Sequence, residues 1–542
     1  MKKRYRACEE CHRLKIKCDV STSPTPGICE RCYRHNFECV PAAPRLQRDR
    51  ISELEAQIQE LRNALQEQSN QSSSTTPSRS PGSLSTPLSR SPGSLLNSHH
   101  DAVLSFLDAR IPPFKQQQLL HQYALQAGTA WPVVRLSMNL DHLRANSPIL
   151  LLAVLVYTIT QEAQGVELEV HDELVRETMH ILGEEVIGRG QRSLELVQAL
   201  LIAAYWNKST RNGSQGSCYQ IVQIASDMAI DLGIAGVSLQ PSPVAYFCRH
   251  QDTGSLEARR TWLGCYVASS TSSISTRRPS PVPWDAYLDE CVGFLESNGD
   301  VSDLLFCQIT RITQLNQEIS NHLRLCQIAT FVDANDYNTY AMIENLKIKL
   351  DAWAAQVPSS VASSPTLKVW WHIAMIHLYE LVLHTPTNKA SFAAPFIPGR
   401  IPVKDFPKPA VIISPLKEAL QVLVQNCHAV IDTAAEMDPA HILSLPSFSF
   451  SPTVVYALFV LVTVLVAAND PENTYGQCLP KDCFRIEQYG PKLRALVAYM
   501  KALDPTLSCY TTRMFDATGW LEEWYNDYNA ILRRYEAKLV GS

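Results

Sequence analysis

The chain has 542 residues, a net charge of −5 and 46 % hydrophobic residues. That length excludes a lone small domain, and that apolar content predicts a largely globular protein with room for a sizeable core. The charge is lopsided: residues 1–50 hold twelve Lys/Arg against six Asp/Glu, net +6, whereas residues 101–542 carry net −10, so a polyanionic partner is expected for the head only.

At the start, MKKRYR is charged but no apolar run follows it, and no secretory signal is predicted. Residues 8–39 then hold six of the sixteen cysteines, in the order C-x2-C-x6-C-x10-C-x2-C-x6-C: Cys8, Cys11, Cys18, Cys29, Cys32 and Cys39. Each C-x2-C can bring two sulfurs to one metal from a single turn. Zinc takes four tetrahedral ligands, so two zinc ions want eight. Six thiolates satisfy both only if two of them bridge, and the repeat within the spacing suits that arrangement. Metal binding would also fold a segment that has almost no apolar core of its own. The competing readings are disulfides, which suit a small exported domain, ordinary free thiols, or a ribbon-like site recruiting His12 or His35. Between Cys11 and Cys18 runs HRLKIK, whose basic side chains suit phosphate and base contacts in duplex DNA.

Residues 41–50 read as a Pro/Arg linker, with Arg45 and Arg48 placed to track a phosphate backbone. Residues 51–68 follow as RISELEAQIQELRNALQEQ continues. Its apolar positions Ile51, Leu54, Ile58, Leu61 and Leu65 step by three and four. Ile51, Ile58 and Leu65 fall at a and Leu54 and Leu61 at d, a pattern that favours a parallel two-stranded coiled coil. Residues 69–100 are rich in Ser, Thr and Pro, with SRSPGSL occurring twice. They read as a disordered linker, ending in a solvated His99–His100 pair.

Residues 101–542 read as helical, from runs such as SPILLLAVLVYTI, SLELVQALLIAAYWN and YQIVQIASDMAIDLGIA, the last stopped at Gly233. The longest apolar run, Val454 to Ala468, has fifteen residues, short of the ~20 that span a bilayer. It reads as a buried core helix, and the chain is expected to be soluble and intracellular with no membrane partner. The ten later cysteines are scattered and read as reduced thiols. No Walker loop, G-x-G-x-x-G, H-E-x-x-H or G-x-S-x-G occurs, so no enzyme is predicted. The C-terminal stretch with Leu521, Trp524, Tyr528, Ile531, Leu532 and Tyr535 at helical spacing reads as a packed terminal helix ahead of an acidic-aromatic activating segment.

Residues 8–39 resemble the fungal binuclear zinc-cluster DNA-binding domain. The resemblance implies two Zn2+ ions, with Cys8 and Cys29 as bridging ligands, Cys11 and Cys18 completing one site and Cys32 and Cys39 the other. It implies that Lys15 reads guanine edges in a CGG triplet, with Lys17, Arg13 and Arg6 on phosphates. His12 stands where the family usually has arginine, and the loop proline, Pro26, is one residue further from the fourth cysteine than is common. Residues 101–542 resemble more weakly the helical regulatory domain that accompanies this cluster. The carrying segments include Arg259, Arg260 and Trp262, then Arg277, Arg278 and Pro279, and the likeness fades beyond about residue 300.

The expected fold is therefore mainly α: a zinc-organised DNA-binding domain (1–40), a linker (41–50), a short parallel coiled coil (51–68), a disordered linker (69–100) and a large all-α regulatory domain (101–542). The expected function is that of a nuclear, homodimeric, sequence-specific transcription factor for RNA polymerase II genes. It would recognise paired CGG-type triplets in double-stranded DNA and act as an activator of a metabolic pathway, a secondary-metabolite gene cluster among the candidates. Co-regulators and a small-molecule effector are further expected partners. The competing class is an enzyme or metabolite-binding protein tethered to chromatin by the zinc module, or a repressor of the same build.

Overall fold

The computed structural model describes residues 8, 11, 17–19, 28–35, 37–40, 92–209, 218–237, 239–243, 248–409 and 411–540. They fall into two units, residues 1–89 and 90–542. The expected coiled coil and both the 41–50 linker and most of the 69–100 linker lie outside the described residues. In the first unit the one described helix of any length is α1, Glu30–His35, which starts directly after Cys29.

The described part of the second unit is helical and holds no β-strand. Its first helix, α2, spans Pro92–Asp108. Helical backbone thus begins nine residues before the start at 101 that composition suggests. Proline is tolerated in a first turn, where its missing N–H would have no intrahelical partner anyway, so the Ser/Pro-rich flavour of this stretch does not prevent a helix. His99 is half-buried, not solvated, and its Nδ1 lies 2.9 Å from Glu185 Oε1.

The core is built from amphipathic helices packed around three that are apolar on most sides. We number the main ones α3 (Pro148–Tyr157), α4 (Leu168–Gly183), α5 (Leu194–Tyr205), α6 (Cys218–Asp231), α7 (Leu256–Thr276), α8 (Ala286–Asn298), α9 (Val301–His322), α10 (Pro365–Tyr379), α11 (Ser414–Glu436), α12 (Ser447–Asn469), α13 (Ile486–Leu503) and α14 (Trp520–Val540). A helix apolar all round must be enclosed on all sides. Helix α12 meets that demand: it is long and apolar enough to cross a membrane, yet 94 % of its most apolar window is buried inside the protein. It packs against α5, α7, α10 and α11. α3 and α5 are paired in the same way, and every residue of α3 is buried.

Local signals fix the ends. Ser255 caps α7 by accepting from the Ala258 amide at 3.2 Å. Asp300 and Asp303 form a reciprocal capping box at the start of α9, which satisfies amides that have no partner within the helix. After α6 the chain turns at Gly233, whose φ of +77° is readily adopted only without a Cβ. At the far end, α14 buries Leu521 and lays Trp520, Trp524, Tyr525 and Tyr528 against the core. The acidic-aromatic segment is therefore a packing element along its first half, with Ile531 and Tyr535 left exposed.

Candidate metal centre and nucleic-acid interface

The first unit has little to fold around except sulfur. Cys8, Cys11, Cys29 and Cys32 are each at most 3 % exposed, and Cys18, Ile28 and Cys39 pack against them. The Sγ atoms of the four buried cysteines all lie within 4.8 Å of one another. Cys8 and Cys29 are 3.8 Å apart, Cys8 and Cys32 3.7 Å, and Cys11 and Cys29 3.7 Å.

These distances discriminate between the chemistries left open by the spacing. A disulfide needs sulfurs about 2.05 Å apart, and all sixteen cysteines are free. Four sulfurs held about 2.3 Å from a zinc at tetrahedral angles are ~3.8 Å from each other. The observed separations are therefore those of thiolates sharing tetrahedral metal sites, and the residues present fit the group.

The arrangement also obeys the sequence repeat. Exchanging the two halves of the motif swaps Cys8 with Cys29, Cys11 with Cys32 and Cys18 with Cys39. The Cys8–Cys32 contact then becomes the Cys29–Cys11 contact, and both measure 3.7 Å. The backbone follows the same symmetry: the Cys8 amide donates to Cys18 Sγ at 3.4 Å, and the Cys29 amide donates to Cys39 Sγ at 3.3 Å. Cys8 and Cys29 lie at the centre of these contacts, touching each other and one further sulfur each.

The close-packed thiols bear on one another's charge. Burial, then hydrogen bonds with Cys8 and Cys29, push the Cys11 thiol up to about 12. Burial pushes Cys29 up as well, but hydrogen bonds from the Cys32 backbone and from the Cys32, Cys11 and Cys8 thiols outweigh it, and this thiol falls to about 6. A thiol that coordinates a divalent cation is deprotonated outright.

Of the residues expected to face DNA, Lys17 alone lies among the described residues. Its side chain is 88 % exposed and its Nζ sits 3.2 Å from Asp19. Lys15, His12, Arg13, Arg6, Arg45 and Arg48 lie outside the described residues, as do Ile51, Leu54, Ile58, Leu61 and Leu65. Asp19 also ties the halves together, since its carbonyl accepts from the Glu30 amide at 3.0 Å.

In the second unit, the arginines singled out by the family resemblance turn out to hold the fold. Arg260 makes a two-pronged pair with Asp303 at 2.7 and 3.0 Å, both groups buried. Arg277 closes α7 in the left-handed conformation, φ +55°, and reaches Glu380, the Tyr456 hydroxyl and the Phe392 carbonyl. Arg259 lies over the Phe294 ring at 4.4 Å, and Arg278 over Tyr219 at 5.0 Å. Their partners were not legible in the sequence, where they stand 35 to 179 residues away with nothing to mark them.

Comparison with known proteins agrees with both units. Residues 6–49 match the family model of the fungal Zn(2)-Cys(6) binuclear cluster domain, and residues 116–295 that of the fungal specific transcription factor domain. The chain is 25 % identical over 509 residues to transcription factor pbcR of Emericella nidulans, covering 85 % of this chain and 64 % of that protein. It is 22 % identical over 414 residues to transcription factor opdL of Penicillium oxalicum, covering 72 % of this chain and 69 % of that protein. The matches thus span about two thirds of the length of these relatives. No solved structure matches. The matched domains and the names of the relatives are those of transcription regulators and not of enzymes. With a zinc-cluster domain at residues 6–49 and the accompanying regulatory domain behind it, the chain carries the domain pair of the fungal zinc-cluster transcription factors, and the cofactor of its first domain is a pair of zinc ions.

Proposed function

We propose that the chain is a nuclear, dimeric regulator that reads paired CGG-type triplets in double-stranded DNA and activates the genes of a metabolic pathway. Cys8 and Cys29 bridge two zinc ions, Cys11 and Cys18 complete one site, and Cys32 and Cys39 the other. The metal supplies the rigidity that an apolar core supplies elsewhere. Held by it, the segment between Cys11 and Cys18 presents Lys15 to guanine O6 and N7, with Arg6, His12, Arg13 and Lys17 on flanking phosphates.

The observation that carries this reading is the two-fold relation among the sulfurs, in which Cys8 and Cys29 touch each other and each meets a second sulfur of the opposite half. The exposure of Lys17 beside that cluster supports it. One cluster reads about three base pairs, which is little specificity alone. The heptad positions Ile51 to Leu65 therefore join two copies, and Arg45 and Arg48 follow the backbone between half-sites. Secondary-metabolite genes are the narrower form of the target expected from the resemblance.

The test uses the full chain. It should carry two zinc ions by elemental analysis and shift a duplex with paired CGG triplets ahead of a scrambled duplex, with affinity falling steeply as salt rises. Replacing Leu54 and Leu61 with Asp should turn a sedimenting dimer into a monomer. Zinc-loaded protein that ignored sequence would refute the reading.

A further inference from the structure

Beside the C-terminal end of α7 the second unit carries a cavity of about 490 Å³, within the ~300–1,000 Å³ range of small-molecule sites. One wall is the Pro279–Trp284 loop and the other is a face of α9. That face is chemically odd. Gln314, Gln317 and Asn321 recur at helical spacing on it, and the amide of Gln317 is buried where a helix ordinarily shows an apolar residue.

Two features make this a built site. Gln317 is 7 % exposed. Its Oε1 accepts from the Tyr266 hydroxyl at 2.7 Å, and its amide nitrogen has no partner among the described residues. Trp284 stands edge-on to the same Tyr266 ring, with centroids 5.0 Å apart. Tyr266, fully buried, thus fixes the amide donor and the indole wall together. The loop that carries Trp284 is in turn anchored by Arg277, through Glu380 and Tyr456. The arginine–proline element therefore does more than close a helix: it holds one wall of the cavity in place.

The lining also selects a charge class. Its acid, Glu318, is already engaged by Lys349 and lies 3.7 Å from His322. The rest of the lining is side-chain amides, the Ser280 and Ser320 hydroxyls, the Cys326 thiol and the His322 imidazole, with an indole and prolines as flat apolar walls. We propose that this cavity is a binding site for a neutral, flat, oxygen-bearing ring compound, which stacks on Trp284 and hydrogen-bonds to Gln317 and its neighbouring amides.

Calorimetric titration of the full-length protein tests this with naringenin as the neutral probe and naphthalene-2-sulfonate as the charged comparator. Naringenin should bind saturably, and the sulfonate at least tenfold more weakly. Gln317→Leu and Trp284→Ala should each weaken naringenin at least tenfold. Because Gln317 is buried, Asn321→Trp is the safeguard: it fills the cavity mouth from an exposed position and should abolish binding without altering the melting temperature. No saturable heat from naringenin would mean a groove that holds only water, and would overturn the site. Equal binding of the sulfonate, or binding untouched by Asn321→Trp, would overturn it as well.

Discussion

Arg277 sets its Nη2 2.9 Å from Glu380 Oε2 across 103 residues of sequence, with both side chains at most 3 % exposed. Burial pushes the Glu380 carboxyl above its ordinary range, and Arg277 acts against that shift. The Tyr456 hydroxyl closes the group by donating to Glu380. Removing one member of such a pair leaves an uncompensated buried charge, at a cost of about 3–5 kcal/mol. Arg277→Met should lower the stability of the second unit by that amount in urea titrations. Arg277→Met with Glu380→Met should recover much of the loss, since an apolar pair of similar volume is often neutral or better. A single variant as stable as the parent would remove the pair from any account of the fold.

Acid should weaken the same unit through its buried histidines. His171 is fully buried, and burial, then the charge of Lys208, lower it to about 3. Its Nδ1 donates to Gln164 Oε1 at 2.8 Å, which fixes the neutral ring. His377 and His384 are also lowered, first by burial and then by Arg277. A histidine whose folded value lies below its unfolded value binds its proton more tightly in the unfolded chain. Its stabilisation is complete above the unfolded value near 6.5 and is lost progressively as pH falls from there toward the folded value. Each such group contributes a slope of ~1.4 kcal/mol per pH unit below that point. Urea midpoints from pH 7.5 down to pH 5 should show the decline, and His171→Gln should make it shallower. Parallel slopes in parent and variant would show that this histidine takes no part.

Much of the cluster could be read from residue order, because its ligands are close in sequence and their spacing is set by what one metal can reach. The mostly α character of residues 92–540 was equally legible, since runs such as Val454–Ala468 have one economical solution, enclosure in a helical core. Long-range partners were not legible. Arg260 and Arg277 stand out in the sequence, but Asp303, Glu380 and Tyr456 are ordinary residues until the fold brings them together. The start of α2 was hidden for a different reason: nine residues of Ser/Pro-rich composition outweighed a helix-compatible first turn.

The proposed bridging of Cys8 and Cys29 gives the cysteines separable roles. Cys8 Sγ approaches both Cys29 and Cys32 and is buried, whereas Cys18 sits at the half-buried edge of the cluster and accepts from the Cys8 amide. Cys8→Ser should therefore release both zinc ions, and Cys18→Ser should release one while holding the other more weakly. Elemental analysis before and after a fixed chelator challenge reads the difference. One zinc lost from each variant alike would assign Cys8 a terminal place.

Base reading and phosphate anchoring should part company at two neighbouring lysines. Lys17 is 88 % exposed and pairs with Asp19 at 3.2 Å, a pair worth little in water. A phosphate can displace that partner. Lys17→Ala should therefore weaken binding to paired-triplet and scrambled duplexes by the same factor, and reduce the slope of log affinity against log salt by about 1. Lys15→Ala removes a donor to guanine, so it should cost about 1–3 kcal/mol per half-site on the paired triplets and far less on the scrambled duplex. Zinc content should stay at two ions in both variants, because neither lysine is a ligand. Fluorescence anisotropy at several salt concentrations gives both quantities in one series. If the two variants lost affinity equally on every duplex, neither lysine would be reading bases, and recognition would rest on backbone contacts alone.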